Sequence, residues 1–394
     1  MNIVRSKIRF VSIIGFCFAL LKIYAQDTLT KNRFEPSINT YFGSVIKSYP
    51  AVPDSRYALL SSINLTWQTN GKDHWQQFYR FPKYGLELFY ATFDNKEDLG
   101  YSIGFVPNFE YKGRKPNKNW RLKFGIGAAY FNKPYDPITN PNNFYIGGSY
   151  VNMSVASFFW TKKLNDWFRL TYGFSAIHYS NGHTTLPNAG MNILTAHLGI
   201  RLEKENKGIK TELVRTPSKL SYAVKAGVGF HEYGETTKAV GGPSYPSYHL
   251  SVWVSKPIGQ MHLIQAGITA AYYTSFYDYI RTQEVYKTDQ RLKASAGIIF
   301  AGHEFVFGKF SFSSQAGIYV YNPFFIKQKK ISGTWDSFSQ KLEAINTNRL
   351  GLIYYPLKKK NSLNNVKSQL MLGAFIKANL AQADLFEYSI GFVF

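Results

Sequence analysis

From about residue 37 to the last residue, one pattern repeats. Short segments alternate apolar with small or polar positions, and turn residues separate them. Period-two alternation is the signature of strands with one apolar face. The segments fall at 37–47, 57–69, 84–93, 99–112, 119–131, 144–161, 165–180 and 191–204. After a more polar connection they resume at 218–231, 245–257, 260–275, 288–302, 308–322, 346–357, 368–379 and 384–394. That makes about sixteen strands within a range of about twelve to sixteen, each edge uncertain by several residues. The expected fold is all-β, a transmembrane antiparallel outer-membrane β-barrel. An even count returns both ends of the chain to the periplasmic side.

The breaks carry turn chemistry. Asp94-Asn95-Lys96-Glu97-Asp98 predicts a tight polar turn, and the Pro- and Asn-rich stretch from Lys133 to Asn143 predicts a long loop. His74 to Lys83 predicts a short helical or irregular connection. Residues 203–217 divide the strand-like segments into halves of similar size. Because spacing continues unchanged beyond this stretch, the pattern predicts one continuous barrel over 26–394, with a first half at 26–204 and additional strands at 205–394. The chain ends on an alternating row, Tyr388, Ile390, Phe392 and Phe394. A terminal aromatic closing an amphipathic strand is similar to the assembly signal of outer-membrane barrels.

Composition sharpens this picture. With 32 Phe, 29 Tyr and 7 Trp the chain is rich in the residues that form interfacial girdles. Residues 1–25 read as a signal peptide: Arg5, Lys7 and Arg9 precede an apolar run from Phe10 to Leu21, and Ala25 suits the cleavage position. The single cysteine, Cys17, lies in that run, so the exported chain has no disulfide, thiol nucleophile or cysteine-bound metal. Forty-six Lys and Arg against 24 Asp and Glu give a net charge of +22. For an exported protein this points to an anionic membrane surface and away from nucleic acid.

Chemistry concentrates at one loop. By parity Leu170, Tyr172, Phe174, Ala176, His178 and Ser180 share one strand face, and Asn192, Leu194, Ala196, Leu198, Ile200 and Leu202 share another. Both rows are apolar along most of their length, so both are expected to face lipid. His178, Ser180 and Asn192 then stand at the ends of lipid-facing rows, beside the loop 181–191. Polar groups there either mark the level at which the wall leaves the hydrocarbon or form a site that meets lipid sideways. Other candidates are weaker. His74, His183, His197, His231, His249, His262 and His303 show no metal-ligand spacing, so no metal is expected. Gly125-Ile126-Gly127 lies inside a predicted strand and opens no helix, and Lys358-Lys359-Lys360 reads as a solvated basic turn.

The stretch His178-Tyr179-Ser180-Asn181-Gly182, followed by Pro187-Asn188, Gly190 and Asn192, resembles the PagL family of lipid A 3-O-deacylases, outer-membrane barrels with an outward-facing His/Ser/Glu triad. The resemblance implies Ser180 as nucleophile and His178 as general base. It implies the Asn188 side chain and the His183 backbone N–H as oxyanion donors, with Asn181 and Gly182 in support. One position departs: the family's glutamate is Asn192 here. An asparagine fourteen residues after the histidine also resembles outer-membrane phospholipase A, which would add calcium and a homodimer.

The sequence is therefore read as a serine carboxylic-ester hydrolase that removes an acyl chain from lipid A, or from another outer-membrane lipid, and needs no cofactor. A phospholipase is the alternative enzyme. A non-catalytic porin or transport barrel is the alternative from another class.

Overall fold

A computed structural model describes residues 32–113, 119–203, 219–238, 241–333, 335–357, 369–380 and 382–394. Residues 1–25, expected as a signal peptide, with Cys17, and Lys358-Lys359-Lys360 lie outside the described residues.

The strands form where alternation predicts them. A two-residue strand, β1 (Arg33–Phe34), leads into β2 (Ser37–Ile46), β3 (Tyr57–Gln68), β4 (Lys83–Phe93) and β5 (Tyr101–Lys112). Next come β6 (Trp120–Phe131), β7 (Tyr150–Lys163), β8 (Phe168–Ser180) and β9 (Met191–Leu202). The second half contains β10 (Ser221–Glu232), β11 (Ser244–Ile258), β12 (His262–Tyr273) and β13 (Ser295–Phe307). It ends with β14 (Phe310–Tyr321), β15 (Asn346–Tyr354), β16 (Gln369–Asn379) and β17 (Gln382–Val393). The 74–83 connection contains a one-turn helix, His74–Phe78. The segment expected from 288 starts only at Ser295, because Gln290–Lys293 is helical.

The single continuous barrel is not what these strands build. β2 pairs antiparallel with β9, from Ser37↔Arg201 to Ile46↔Asn192, and closes a ring of eight strands. β10 pairs with β17, from Ala223↔Val393 to Phe230↔Phe386, and closes a second ring of eight. Alternation specifies which face of a strand is apolar and carries no information on which strands meet at closure. One sixteen-strand wall and two eight-strand walls therefore read alike along the chain.

A ring of eight strands leaves an interior that side chains can fill. In the first ring the filling is ionic at one end and apolar at the other. Lys83 Nζ lies 2.6 Å from both Glu35 and Glu203, and Arg201 meets Glu110 through two bonds of 2.8 and 2.6 Å. Glu87 accepts from Lys123 at 2.5 Å and from the Tyr41 hydroxyl at 2.7 Å. Beyond them Phe93, Phe131, Met153, Tyr179 and Met191 pack as a plug. The second ring is filled likewise by Lys225, Arg349 and Glu387 and, nearer the long loops, by Tyr273, Phe276 and Phe324. Every buried charge named here has a partner, as burial away from water demands.

The outward rows are apolar: Phe42, Phe105, Phe124, Phe174, Leu194 and Leu198 are each more than half exposed. Connections at one end are short, such as 164–167, 259–261 and 308–309; the opposite end carries the loops 132–149, 274–294 and 322–345. Short periplasmic turns and long extracellular loops set the orientation of such barrels. The β8–β9 loop lies at the extracellular end.

The rings stand side by side in the same sense. At the periplasmic end the Tyr79 hydroxyl donates to Met261 O at 3.2 Å, and the Phe109 and Phe307 rings lie 4.6 Å apart. At the extracellular end the β8–β9 loop meets the β10–β11 loop.

Candidate active site

Parity along β7, β8 and β9 brings five polar residues to one outward patch. Cross-strand register sets His178 opposite Asn192 on β9 and opposite Ser154 on β7, while Ser180 lies opposite Asn152. His178 is exposed and Asn192 is partly exposed, both on the lipid side. Ser180 belongs to the same row, yet it is only 7 % exposed because the loop that follows folds back over it.

That loop is shaped by its own polar side chains. The Asn181 side chain donates to Thr185 O at 2.6 Å, and Thr184 Oγ1 donates to Asn181 O at 2.9 Å. Gly182 and His183 both have positive φ, which reverses the chain directly after the strand. The Leu186-Pro187 bond is cis.

Around Ser180 the arrangement is specific. Asn188 Nδ2 donates to Ser180 Oγ at 2.9 Å, and the Gly182 N–H donates to the same oxygen at 3.1 Å. Asn188 is itself oriented, because its Oδ1 accepts the Asn181 N–H at 3.0 Å. A serine hydroxyl has two acceptor lone pairs and one hydrogen to give. Both acceptor positions are occupied, and the hydroxyl hydrogen is left. Two residues back on the same strand row stands His178, whose Nδ1 lies 2.8 Å from Asn192 Oδ1. An amide oxygen only accepts, so Nδ1 carries the ring hydrogen and Nε2 is left as the basic nitrogen.

Gly190 lies between His178 and Ser180. Its φ is +68°, and a Cβ there would stand 3.1 Å from His178 Cε1 and 3.7 Å from Ser180 Cβ.

All seven expected site residues therefore gather at one loop and its flanking strand ends. In detail, the Gly182 N–H and not that of His183 reaches Ser180 Oγ. The His183 ring turns away: it is buried, its Nε2 lies 3.3 Å from Gly234 O in the second ring, and burial lowers its pKa below the ordinary 6.5. Sequence reasoning assigned no role to Asn152, Ser154 or the wedge position Gly190. Register alone could have found the first two, since both stand on the β7 row beside the patch. Nothing in the sequence pointed to the contacts made from the second ring.

A second Ser/His/Asp group exists inside the second ring. His231 Nε2 lies 2.6 Å from Ser275 Oγ, and His231 Nδ1 lies 3.9 Å from Asp384. Ser275 is 2 % exposed and His231 3 %, sealed under Tyr273 and Phe276. An acyl chain has no way to this serine, and 3.9 Å is too long for the histidine to be oriented by a hydrogen bond.

Two family models match the chain. One, described as lipid A 3-O-deacylase (PagL), matches residues 61–201; the other, described as acyloxyacyl hydrolase, C-terminal domain, matches residues 220–343. No curated protein sequence matches. Among solved structures the chain is similar to the outer membrane enzyme PagL at 19 % identity over 41 % of this chain and 97 % of that one, with a TM-score of 0.31. It is also similar to Acinetobacter baumannii OccAB1, at 9 % identity over 93 % of this chain and 99 % of that one, with a TM-score of 0.24. The outer membrane protein opdK of Pseudomonas aeruginosa is 9 % identical over 93 % and 99 %, with a TM-score of 0.22.

The walls, their closure and the two matches together define an outer-membrane β-barrel protein of the lipid A deacylase class. Within that class, residues 61–201 of the first ring match the PagL deacylase model, and residues 220–343 of the second match the acyloxyacyl hydrolase C-terminal domain.

Proposed function

We propose that this protein hydrolyses an ester-linked acyl chain of lipid A in the outer leaflet, with Ser180 as nucleophile. The observation that carries the reading is the occupancy of Ser180 Oγ: two donors hold its lone pairs, while a tautomer-fixed histidine stands on the same outward row. His178 Nε2 takes the hydroxyl proton as Oγ bonds to the ester carbon. The negative charge moves to the carbonyl oxygen, where Asn188 Nδ2–H and the Gly182 N–H receive it. Collapse breaks the ester C–O bond, and His178 returns its proton to the departing sugar hydroxyl. Water then repeats the sequence on the acyl-enzyme and frees the fatty acid.

Asn192 orients the imidazole without adding a negative charge. Exchanging a charged triad member for asparagine in a serine protease costs roughly 10⁴ in rate. In this chain the asparagine already bonds Nδ1 at 2.8 Å, so the tautomer is correct and only the charge is forgone.

The test is mass spectrometry of lipid A and phospholipids from cells producing the protein, with Ser180→Ala and Ser275→Ala alongside. Loss of one acyl chain from lipid A that disappears with Ser180→Ala and persists with Ser275→Ala is expected. Fatty acid released from phospholipid instead, and abolished by a calcium chelator, would replace this reading with a phospholipase.

A further inference from the structure

The site loop is held from two sides: Phe144 O and Tyr145 O of the first ring accept the Ala189 and Gly190 N–H groups, and the second ring holds the stretch before them. Glu232, the last residue of β10, is buried, and its two carboxylate oxygens take two different loops. Oε2 accepts the Leu186 N–H of the site loop at 2.6 Å, and Oε1 accepts the Gly242 N–H of the β10–β11 loop at 2.9 Å. The Glu232 N–H donates to His183 O at 2.8 Å. Four residues further on, Thr236 O accepts the Asn188 N–H at 2.7 Å. Phe386 of β17 lies against Gly182, so close that a Cβ on that glycine would collide with the ring at 2.3 Å.

These contacts bracket both donors aimed at Ser180. Gly182 is fixed from outside by Phe386, and Asn188 by the Thr236 carbonyl. Among the described residues, the Leu186 N–H finds its acceptor on Glu232 and on no residue of the first ring. A polar side chain with both oxygens engaged by backbone N–H groups of two loops ties those loops together. Oxyanion donors work only when they are held to a fraction of an ångström, which needs a supporting layer behind them.

We propose that Glu232 is a positioning residue for the hydrolysis, and that the second ring serves the reaction by holding the Gly182 and Asn188 donors in place through it. The proposal rests on Ser180 being the nucleophile. Without the carboxylate, the Leu186 and Gly242 N–H groups lose their acceptor, and the middle of the site loop loses its tie to the β10–β11 loop while the Thr236 and Gly234 contacts remain. The Asn188 amide then shifts relative to Ser180. A misplacement of about 1 Å costs about 100-fold in rate.

The experiment uses the full-length protein folded in detergent micelles, a chromogenic medium-chain ester as probe, and the variants Glu232→Ala, Glu232→Gln and Ser180→Ala. Folding is read from the heat-modifiable gel mobility of the barrel. The expected result is a fall in kcat of about 10–100-fold for Glu232→Ala with KM nearly unchanged. Glu232→Gln, which keeps one acceptor oxygen, should fall between it and wild type. A folded Glu232→Ala protein with wild-type kcat, or one changed in KM alone, would overturn the proposal. Failure of both Glu232 variants to fold would assign the residue to folding and overturn it too. Residual activity in Ser180→Ala would instead strike the serine reading, so the two failures are distinguishable.

Discussion

Asn188 gives the most direct measure of the site. Its side chain makes two bonds with separate consequences: Nδ2 donates to Ser180 Oγ at 2.9 Å, and Oδ1 accepts the Asn181 N–H at 3.0 Å. Asn188→Ala removes both. Loss of one oxyanion donor lowers kcat by about 10²–10³, equivalent to about 2.7–4 kcal/mol of transition-state stabilisation. Loss of the acceptor leaves a buried backbone N–H unpaired, a cost of about 1–3 kcal/mol that falls on loop stability. Asn188→Asp separates the two effects. It keeps an acceptor for Asn181 while replacing the donor with an oxygen that repels the forming oxyanion. The aspartate variant should therefore lose at least as much kcat as the alanine variant and retain more thermal stability. Initial rates on a chromogenic ester, with Ser180→Ala as baseline and melting followed on the same samples, provide both readouts. If Asn188→Ala stays within about threefold of wild type while Ser180→Ala is inactive, Asn188 is no oxyanion donor.

Three further outcomes follow from the geometry. Gly190→Ala places a methyl 3.1 Å from His178 Cε1 in a backbone with φ of +68°, so kcat should fall about 100-fold while heat-modifiable mobility persists. Glu110→Ala strips Arg201 of two buried bonds and should lower stability by about 3–5 kcal/mol in denaturant titrations of the protein in vesicles. Burial lowers the pKa of His183 below 6.5, so on acidification the unfolded loop takes up a proton that the folded loop refuses. Stability is thus full above about pH 6.5 and declines as pH falls below it. His183→Gln should flatten that decline in melting curves recorded between about pH 5 and 7.

Much of this was legible along the chain because alternation and burial are the same fact seen twice. Outward Phe174, Ala176 and His178 against inward Ser175, Ile177 and Tyr179 follow directly from a period of two. The grouping of the candidate residues was legible because β8 and β9 are joined by one loop, which keeps His178, Ser180, Asn188 and Asn192 within fifteen residues of sequence. Closure was not legible. The Ile46↔Asn192 pair that ends the first ring joins strands 146 positions apart, and no local feature announces it. Glu232 was hidden for the same reason. In sequence it is one polar residue at a strand end, and its role comes only from the loop of a neighbouring ring. That the Gly182 N–H meets Ser180 Oγ follows from the turn geometry of two positive-φ residues, which composition does not encode.

The outward placing of His178 changes what concentration means for this protein. On the proposed reading the site opens neither to bulk water nor to a lumen, so encounter takes place in the plane of the leaflet. The variable that fills the site is the surface mole fraction of the lipid, and the relevant diffusion is two-dimensional. Adding inert detergent should slow the reaction, although the bulk concentrations of substrate and protein stay the same. Only lipids whose ester linkage rides at the height of the extracellular rim come within reach, so membrane thickness becomes a determinant of selectivity alongside the chemistry of the site.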